Sequence, residues 1–348
     1  MIIPTTYTAA LLLTIISMIC WGSWANTTKL AGKWRFELFY FDYAFGVLLC
    51  AILAAATFGS MGDDLTVLDN LAVTGKRQIF WGLLGGVVFN LANILLVAAI
   101  TVAGLAVAFP VGIGLALVIG VVWNYAINPQ GNRGLLFAGA ALVVMAIITD
   151  AIAYAQHAAQ KAREETGASP SPAAAGVKKK SPVKGIALSL ASGVLMGSFY
   201  PIVEISKQGE IGLGPYAVGL VFAIGVFLST FVFNLYFMNL PVQGPPVGVR
   251  DYFQGTARQH LLGVSGGLIW CTGTLTNFVA ASAPREINVG PAISYALGQG
   301  ATMISALWGL LVWKEFAGAS AKVKALLAVM LLLFVAGLTT VSVAPLVR

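Results

Sequence analysis

Gly82–Asn93 reads GLLGGVVFNLAN, and Gly263–Thr274 reads GVSGGLIWCTGT. At a constant offset of 181 positions, Gly82, Gly85 and Gly86 fall on Gly263, Gly266 and Gly267. Further along, Ala99 meets Ala280 and Thr101 meets Ser282. Two apolar segments sharing a Gly-xxx-Gly spacing, half a chain apart, mark one hydrophobic module written twice.

Composition places that module in a bilayer. Charged residues are 9% of the 348 positions and apolar ones 58%, against about 25% charged in a soluble domain. Mean hydropathy is +0.87, and many apolar runs are long enough to cross a hydrocarbon core. A soluble fold is excluded on these grounds. The opening MIIPTTYTAALLLTIISMICWGSW has no basic residue before its apolar run and no small-residue cleavage site, so it is expected to be a first spanning helix, not a signal peptide. Cys20, Cys50 and Cys271 all lie in apolar runs and read as small buried hydrophobes. The net charge of +7 is concentrated in loops, as membrane topology predicts, and is no nucleic-acid signal.

Ten spans are predicted, at 8–28, 38–58, 80–101, 104–127, 134–155, 185–206, 216–238, 261–283, 288–312 and 323–344. The joints 101–104 and 283–288 are short and correspond under the repeat, a re-entrant segment being the alternative there. Between the fifth and sixth spans lies QHAAQKAREETGASPSPAAAGVKKKSPVK, residues 156–184, polar and rich in Ala, Pro and Ser with six basic residues. This composition predicts a flexible linker between two five-helix repeats, 1–155 and 185–348. With both termini outside, fourteen of the twenty Lys and Arg fall on the inner side, which predicts a cytoplasmic linker and a cell-membrane location. An odd number of helices per copy makes the repeats inverted. The expected fold is therefore an all-α membrane protein of ten transmembrane helices in two inverted five-helix repeats, an architecture many secondary transporters use for alternating access.

The first helices repeat more loosely, with Trp21-Gly22-Ser23-Trp24 against Met196-Gly197-Ser198-Phe199, and Trp123 pairs with Trp308 in the fourth. Pro110 and Pro291, followed by Gly112, Gly114, Gly298 and Gly300, predict interrupted helices at matching places near a substrate site.

These residues, with CWGSWANTTK, FELFYFDYAFG, GGVVFNLANILL and GLLVWKEF, resemble the drug/metabolite transporter superfamily. The resemblance is to its branch of glucose/ribose porters, rhamnose–proton symporters and ureide permeases. It implies the same ten-helix inverted fold, a central polar cavity, and transport of a small uncharged polar solute, frequently with a proton. Plant ureide permeases are similar around FYFDY and GGVVFNLAN but also carry a central loop with a phosphate-loop-like sequence. No G-x-x-x-x-G-K-[ST] stands in this linker, so a sugar is the leading expectation and a ureide or nucleobase the alternative.

Ionisable residues inside apolar segments are costly and point to function. Asp42, flanked by aromatics, and Glu204 are the expected carriers of a coupling proton, with sodium as the other coupling ion. Asp150 and Lys29 are read as interfacial, where snorkelling makes charge cheap. Deep polar residues are the expected solute contacts: Asn90 and Asn93 on one face, Thr274 and Asn277 on the matching helix, Ser23, Asn26 and Ser198 in the first helices, and Tyr295 and Gln299 in the ninth. Amides and hydroxyls both donate and accept, which suits a neutral polar ligand. Trp21, Trp24, Phe109, Tyr200 and Trp270 would supply flat walls. His157 and His260 lack metal-ligand spacing, and no catalytic triad or paired intramembrane carboxylates stand out. The expectation is a carrier with no cofactor or metal, working in the lipid bilayer as a monomer or weak homodimer, with an embedded enzyme or passive pore as alternatives from other classes.

Overall fold

The computed structural model describes residues 1–62, 65–103, 105–167, 182–242, 244–287 and 289–347. Among them the chain is helical with no strand: α1 (Tyr7–Ser23), α2 (Asn26–Ala31), α3 (Phe36–Ala56), α4 (Val67–Val73), α5 (Lys76–Ala103), α6 (Leu105–Ile127), α7 (Arg133–Gly167), α8 (Pro182–Ser206), α9 (Pro215–Asn239), α10 (Val249–Phe253), α11 (Ala257–Ala281), α12 (Pro291–Gly298), α13 (Ala301–Leu307) and α14 (Ala321–Val343).

Among the described residues, eight stretches are long and apolar enough to cross a bilayer: Tyr7–Ala31, Phe36–Ala56, Lys76–Ile100, Arg133–Glu164, Val183–Ser206, Pro215–Asn239, Pro291–Val312 and Ala321–Leu346. Val111–Ile127 is a shorter apolar helix. α11 has the length, at 25 residues, but its glycines, threonines and polar first turn lower its hydropathy. The molecule is a multi-pass membrane protein.

Local chemistry sets the helix ends. Thr256 and Gln259 form a capping box that starts α11, and Ser320 caps α14 by accepting from the Val323 amide; such caps satisfy amides that the first turn leaves unpaired. Two predicted spans differ in detail. α7 continues past position 155 to Gly167, because the start of the expected linker, QHAAQKAREE, consists mostly of good helix formers, with Gln160 donating to Glu164 one turn on. The ninth span is broken at Gln299–Gly300 between α12 and α13 and ends in a π-helical turn, Trp308–Val312. Pro291 sits at the first turn of α12, where its missing N–H costs nothing, whereas α6 runs through Pro110 without interruption. The matching interruptions expected in the two halves therefore occur only in the second.

Gly86 and Gly267 are packing surfaces. A Cβ on Gly86 would run into the Phe222 carbonyl and lie 2.9 Å from the Val226 nitrogen; one on Gly267 would run into the Tyr43 carbonyl and lie 2.7 Å from the Val47 nitrogen. α5 thus presses on the α9 backbone, and α11 on that of α3. The same exchange holds elsewhere: Gly22 abuts Ala301 and Ile304, while Gly197 abuts Ala116 and Ile119. Small residues at such crossings let helix backbones approach closely in lipid.

Candidate functional site

Two tyrosine–asparagine clusters lie inside the bundle. In the first, the Tyr40 hydroxyl donates to Asn90 Oδ1 at 2.7 Å and accepts from Asn93 Nδ2 at 3.1 Å. Asn90 Nδ2 reaches α9, 2.8 Å from Ser229 Oγ and 3.1 Å from Thr230 Oγ1. In the second, the Tyr200 hydroxyl donates to Asn277 Oδ1 at 2.6 Å and lies 3.2 Å from Ser294 Oγ. Asn277 Nδ2 donates to Ser17 Oγ at 3.1 Å and to the Ser294 carbonyl at 3.0 Å. Both amides are fully buried, so these bonds offset a desolvation cost that lipid and protein cannot otherwise relieve.

An aromatic ladder joins the clusters. Tyr40 packs on Tyr43 at 5.0 Å, Tyr43 on Trp270 at 6.3 Å, Trp270 stacks on Phe89 at 4.3 Å, and Phe89 meets Phe199, which neighbours Tyr200. Trp24 covers Tyr43 at 4.9 Å. The Tyr43 hydroxyl is completely buried and has no hydrogen-bond partner among the described residues. Such a buried unpaired hydroxyl carries a desolvation cost that nothing around it offsets.

Of the residues expected to touch solute, Asn90, Asn93, Tyr200, Trp270, Thr274, Asn277, Tyr295, Trp21 and Trp24 gather around this core. Trp21 Nε1 donates to Thr274 Oγ1 at 3.0 Å, and the Tyr295 ring meets Tyr200 at 5.2 Å. Ser23 and Asn26 lie elsewhere, accepting from the indoles of Trp308 at 2.9 Å and Trp313 at 2.6 Å. Ser198 bonds to the Val194 carbonyl of its own helix. Gln299 is half-buried at the C-cap of α12. The Phe109 side chain lies outside the described residues.

The ionisable candidates occupy the two ends of the bundle. Asp42 accepts from Tyr252 at 2.6 Å and faces His260 Nδ1 at 2.7 Å. Burial pushes the Tyr252 hydroxyl above its ordinary range, and its bond to Asp42 adds to the shift. Beside them the Arg35 guanidinium grips both Glu37 oxygens, at 3.1 and 2.7 Å, which raises the arginine further. Arg35, Phe36, Glu37, Ile94 and Asn234 line a cavity of about 310 Å³, where Phe36 packs on Tyr40 at 5.1 Å. At the opposite end Glu204 pairs with Lys207 at 2.8 Å, and both line a cavity of about 500 Å³ with Asn128, Gln208 and Arg285. Phe36 thus connects the first cavity to Tyr40, and Glu204 on the second lies one helical turn from Tyr200. Asp150, read from sequence as interfacial, is instead buried at 7% exposure, on a helix packed against α14 and α6.

Tyr40, Tyr43, Ser17, Ser229, Thr230 and Ser294 were not marked by the sequence. Tyrosine and serine in an apolar helix are unremarkable singly; only pairing with the asparagines gives them meaning. FYFDY did carry a hint, since Tyr40 and Tyr43, three apart, share a helix face.

By fold the molecule is a multi-pass membrane protein, and its family makes it, as a class, a membrane transporter. The chain belongs to the ureide permease family, whose family model matches residues 39–175 and 171–344. Ureide permease 1 of Arabidopsis thaliana is 23% identical over 383 aligned positions, covering 94% of this chain and 94% of that protein. Ureide permease 2 of the same plant is 22% identical over 388, again with 94% of each chain covered. A solved crystal structure shares the fold with a TM-score of 0.60 at 18% identity, covering 97% of this chain and 98% of the other.

Proposed function

We propose that the protein is a secondary carrier for a small neutral solute bearing ureide or cyclic amide groups. It works by alternating access between two inverted five-helix halves, residues 1–155 and 185–348, joined by 156–184 on the cytoplasmic side of the cell membrane. Membership of the ureide permease family favours the ureide alternative over the sugar expected first. The paired glycine contacts support the inverted arrangement: Gly86 on α9 exchanges with Gly267 on α3, and Gly22 on α13 with Gly197 on α6.

The unpartnered Tyr43 hydroxyl carries the reading of the site. In the proposal a planar solute stacks along Trp270 and Phe89, bonds to Tyr43, and takes amide bonds from Asn93 and Asn277 as those side chains release their present partners. Asp42 and Glu204 are proposed to take up the coupling proton at the two ends of the bundle, with sodium as the competing ion. If Asp42→Asn and Glu204→Gln both keep pH-gradient-driven accumulation, that coupling role fails.

Reconstitution into liposomes tests the carrier itself. Radiolabelled uracil and hydantoin should show saturable uptake and counterflow, and glucose and ribose should not compete. Uptake that never saturates or exchanges would mean a pore, and uptake of sugars alone would restore the sugar reading.

A further inference from the structure

Away from the tyrosine clusters, polar groups converge where α7 meets the turn after the π-helical segment. Asp150, Tyr154, His157 and Lys161 recur every three or four residues and share one face of α7. The Tyr154 hydroxyl donates to Glu315 Oε2 at 2.7 Å, and Lys29 pairs with Oε1. His157 Nε2 lies 3.0 Å from the Glu315 carbonyl oxygen, and Lys161 Nζ lies 3.3 Å from the same atom. Asp150, one turn from Tyr154 toward the interior, is 7% exposed, and its Oδ1 has no hydrogen-bond partner among the described residues.

The backbone places Glu315 with some effort. The single π-helical turn Trp308–Val312 is followed by Lys314 at φ 52°, a left-handed conformation uncommon for a residue with a Cβ. The Glu315 N–H then donates to the Gly309 carbonyl at 2.9 Å. π-Turns and strained residues cluster at functional sites.

Charge counting singles out Asp150. Burial by itself would raise the Glu315 carboxyl, but the bonds from Lys29 and Tyr154 hold it below the usual carboxylate range. Glu315 is therefore ionised and uses the charge of Lys29. α14, packed along α7, presents Lys322 and Lys324, both exposed, and α6 carries no charged residue. Asp42 and Glu204 already face His260 and Lys207. Asp150 is left as a buried carboxyl beside a carboxylate, a state that is costly when charged and cheap when a proton is held.

We propose that Asp150 is a third proton-binding site of the carrier, with Tyr154 and Glu315 linking it to the closure between the two halves. The step is Asp150–COOH giving Asp150–COO⁻ and a proton released to water at the Lys29 end. The new charge then competes with Glu315 for Lys29. That bridge, with Trp308–Ser23 and Trp313–Asn26, joins the end of α1 and α2 to the segment after α13, so deprotonation loosens this end. The coupling role, but not the proton site itself, rests on the carrier reading above.

Two measurements separate them. In infrared difference titration of the purified protein in lipid, the wild type should show a protonated-carboxyl C=O band that is lost as pH rises. Asp150→Asn should remove that band, and Glu315→Gln should move it. A band unchanged in Asp150→Asn, or none in the wild type, overturns the proposal. In proteoliposomes with labelled uracil, Asp150→Asn should keep counterflow, which also shows that it folds, and lose pH-gradient-driven accumulation. Accumulation equal to wild type overturns the coupling role, and so does wild-type accumulation driven by a sodium gradient alone. If the band behaves as expected but the wild type shows no counterflow, the carrier reading fails and the proton site stands.

Discussion

Replacing Gly86 and Gly267 one at a time with alanine tests the paired architecture directly. At either position the new methyl meets backbone, not a side chain that could swing away: the Phe222 carbonyl and Val226 nitrogen for Gly86, the Tyr43 carbonyl and Val47 nitrogen for Gly267. α5 would have to back away from α9, or α11 from α3. Overpacking of a tight core costs about 1–3 kcal/mol, and an obstacle of backbone belongs at the upper end. Alanine's better helix propensity returns about 1 kcal/mol, leaving a net loss of about 1–2 kcal/mol from those two principles. Gly114 is the control, since a Cβ there meets nothing within 4 Å. Gly114→Ala should be neutral or stabilising by about 0.5–1 kcal/mol. Thermal unfolding midpoints of the purified protein in one detergent read all three. Both crossing variants should fall by similar amounts while Gly114→Ala does not. A fall in only one of the pair would show that the two crossings are not equivalents, and no fall in either would refute backbone-on-backbone packing.

Asn90→Ala strips Tyr40 of its acceptor and Ser229 and Thr230 of a donor, and Asn277→Ala does the same to Tyr200 and Ser17. Each should cost about 1–3 kcal/mol in the same melt, and wild-type midpoints would show that the clusters are not structural. Thr256→Ala removes the cap of α11 and should lower stability by about 1 kcal/mol; Thr256→Ser should restore it. The depressed Glu315 carboxyl contributes stability that is present above its unfolded pKa of about 4.3 and is lost as pH falls through its lower folded value. The stability gap between wild type and Glu315→Gln should therefore close in acid; a gap that widens in acid would mean the sign is wrong.

Most spans were legible because a bilayer demands long apolar runs, and the residues at 80–101 or 216–238 can do little else. The composition of 156–184 suggests a break from its first residue, but QHAAQKAREE is polar and also strongly helix-forming, and α7 runs on to Gly167. The asparagines stood out because an amide in lipid is costly. Their tyrosine partners did not, since only the fold brings Tyr40 to Asn90 or Tyr200 to Asn277. Asp42 was visible, yet its partners come from more than 200 positions away: Tyr252 from a five-residue helix too short to announce itself, and His260 from the first turn of α11. The π-turn and the left-handed Lys314 that deliver Glu315 had no signal in GLLVWKEF.

Packing and polar recognition share the same atoms on α5, and this yields a sharper test. Gly86 and Asn90 are one turn apart on one face. A Cβ on Gly86 would lie 2.9 Å from the Val226 nitrogen, and Asn90 Nδ2 donates to the Val226 carbonyl at 3.2 Å and to Ser229 and Thr230 just beyond. Close approach at the glycine is what lets a short amide side chain span to α9. Pushing α9 outward with Gly86→Ala should therefore stretch the Asn90 bonds as well. Contacting residues show non-additive effects of about 0.5–3 kcal/mol. Gly86→Ala combined with Asn90→Ala should accordingly cost less than the sum of the two alone, because the first change has already broken part of what the second removes. Gly139→Ala with Asn90→Ala should come close to the sum, since Gly139 meets Gly337 and Val341 on the separate crossing of α7 and α14. Full additivity in the first pair would mean that the Asn90 bonds survive without the close crossing, and the glycine would then be packing alone.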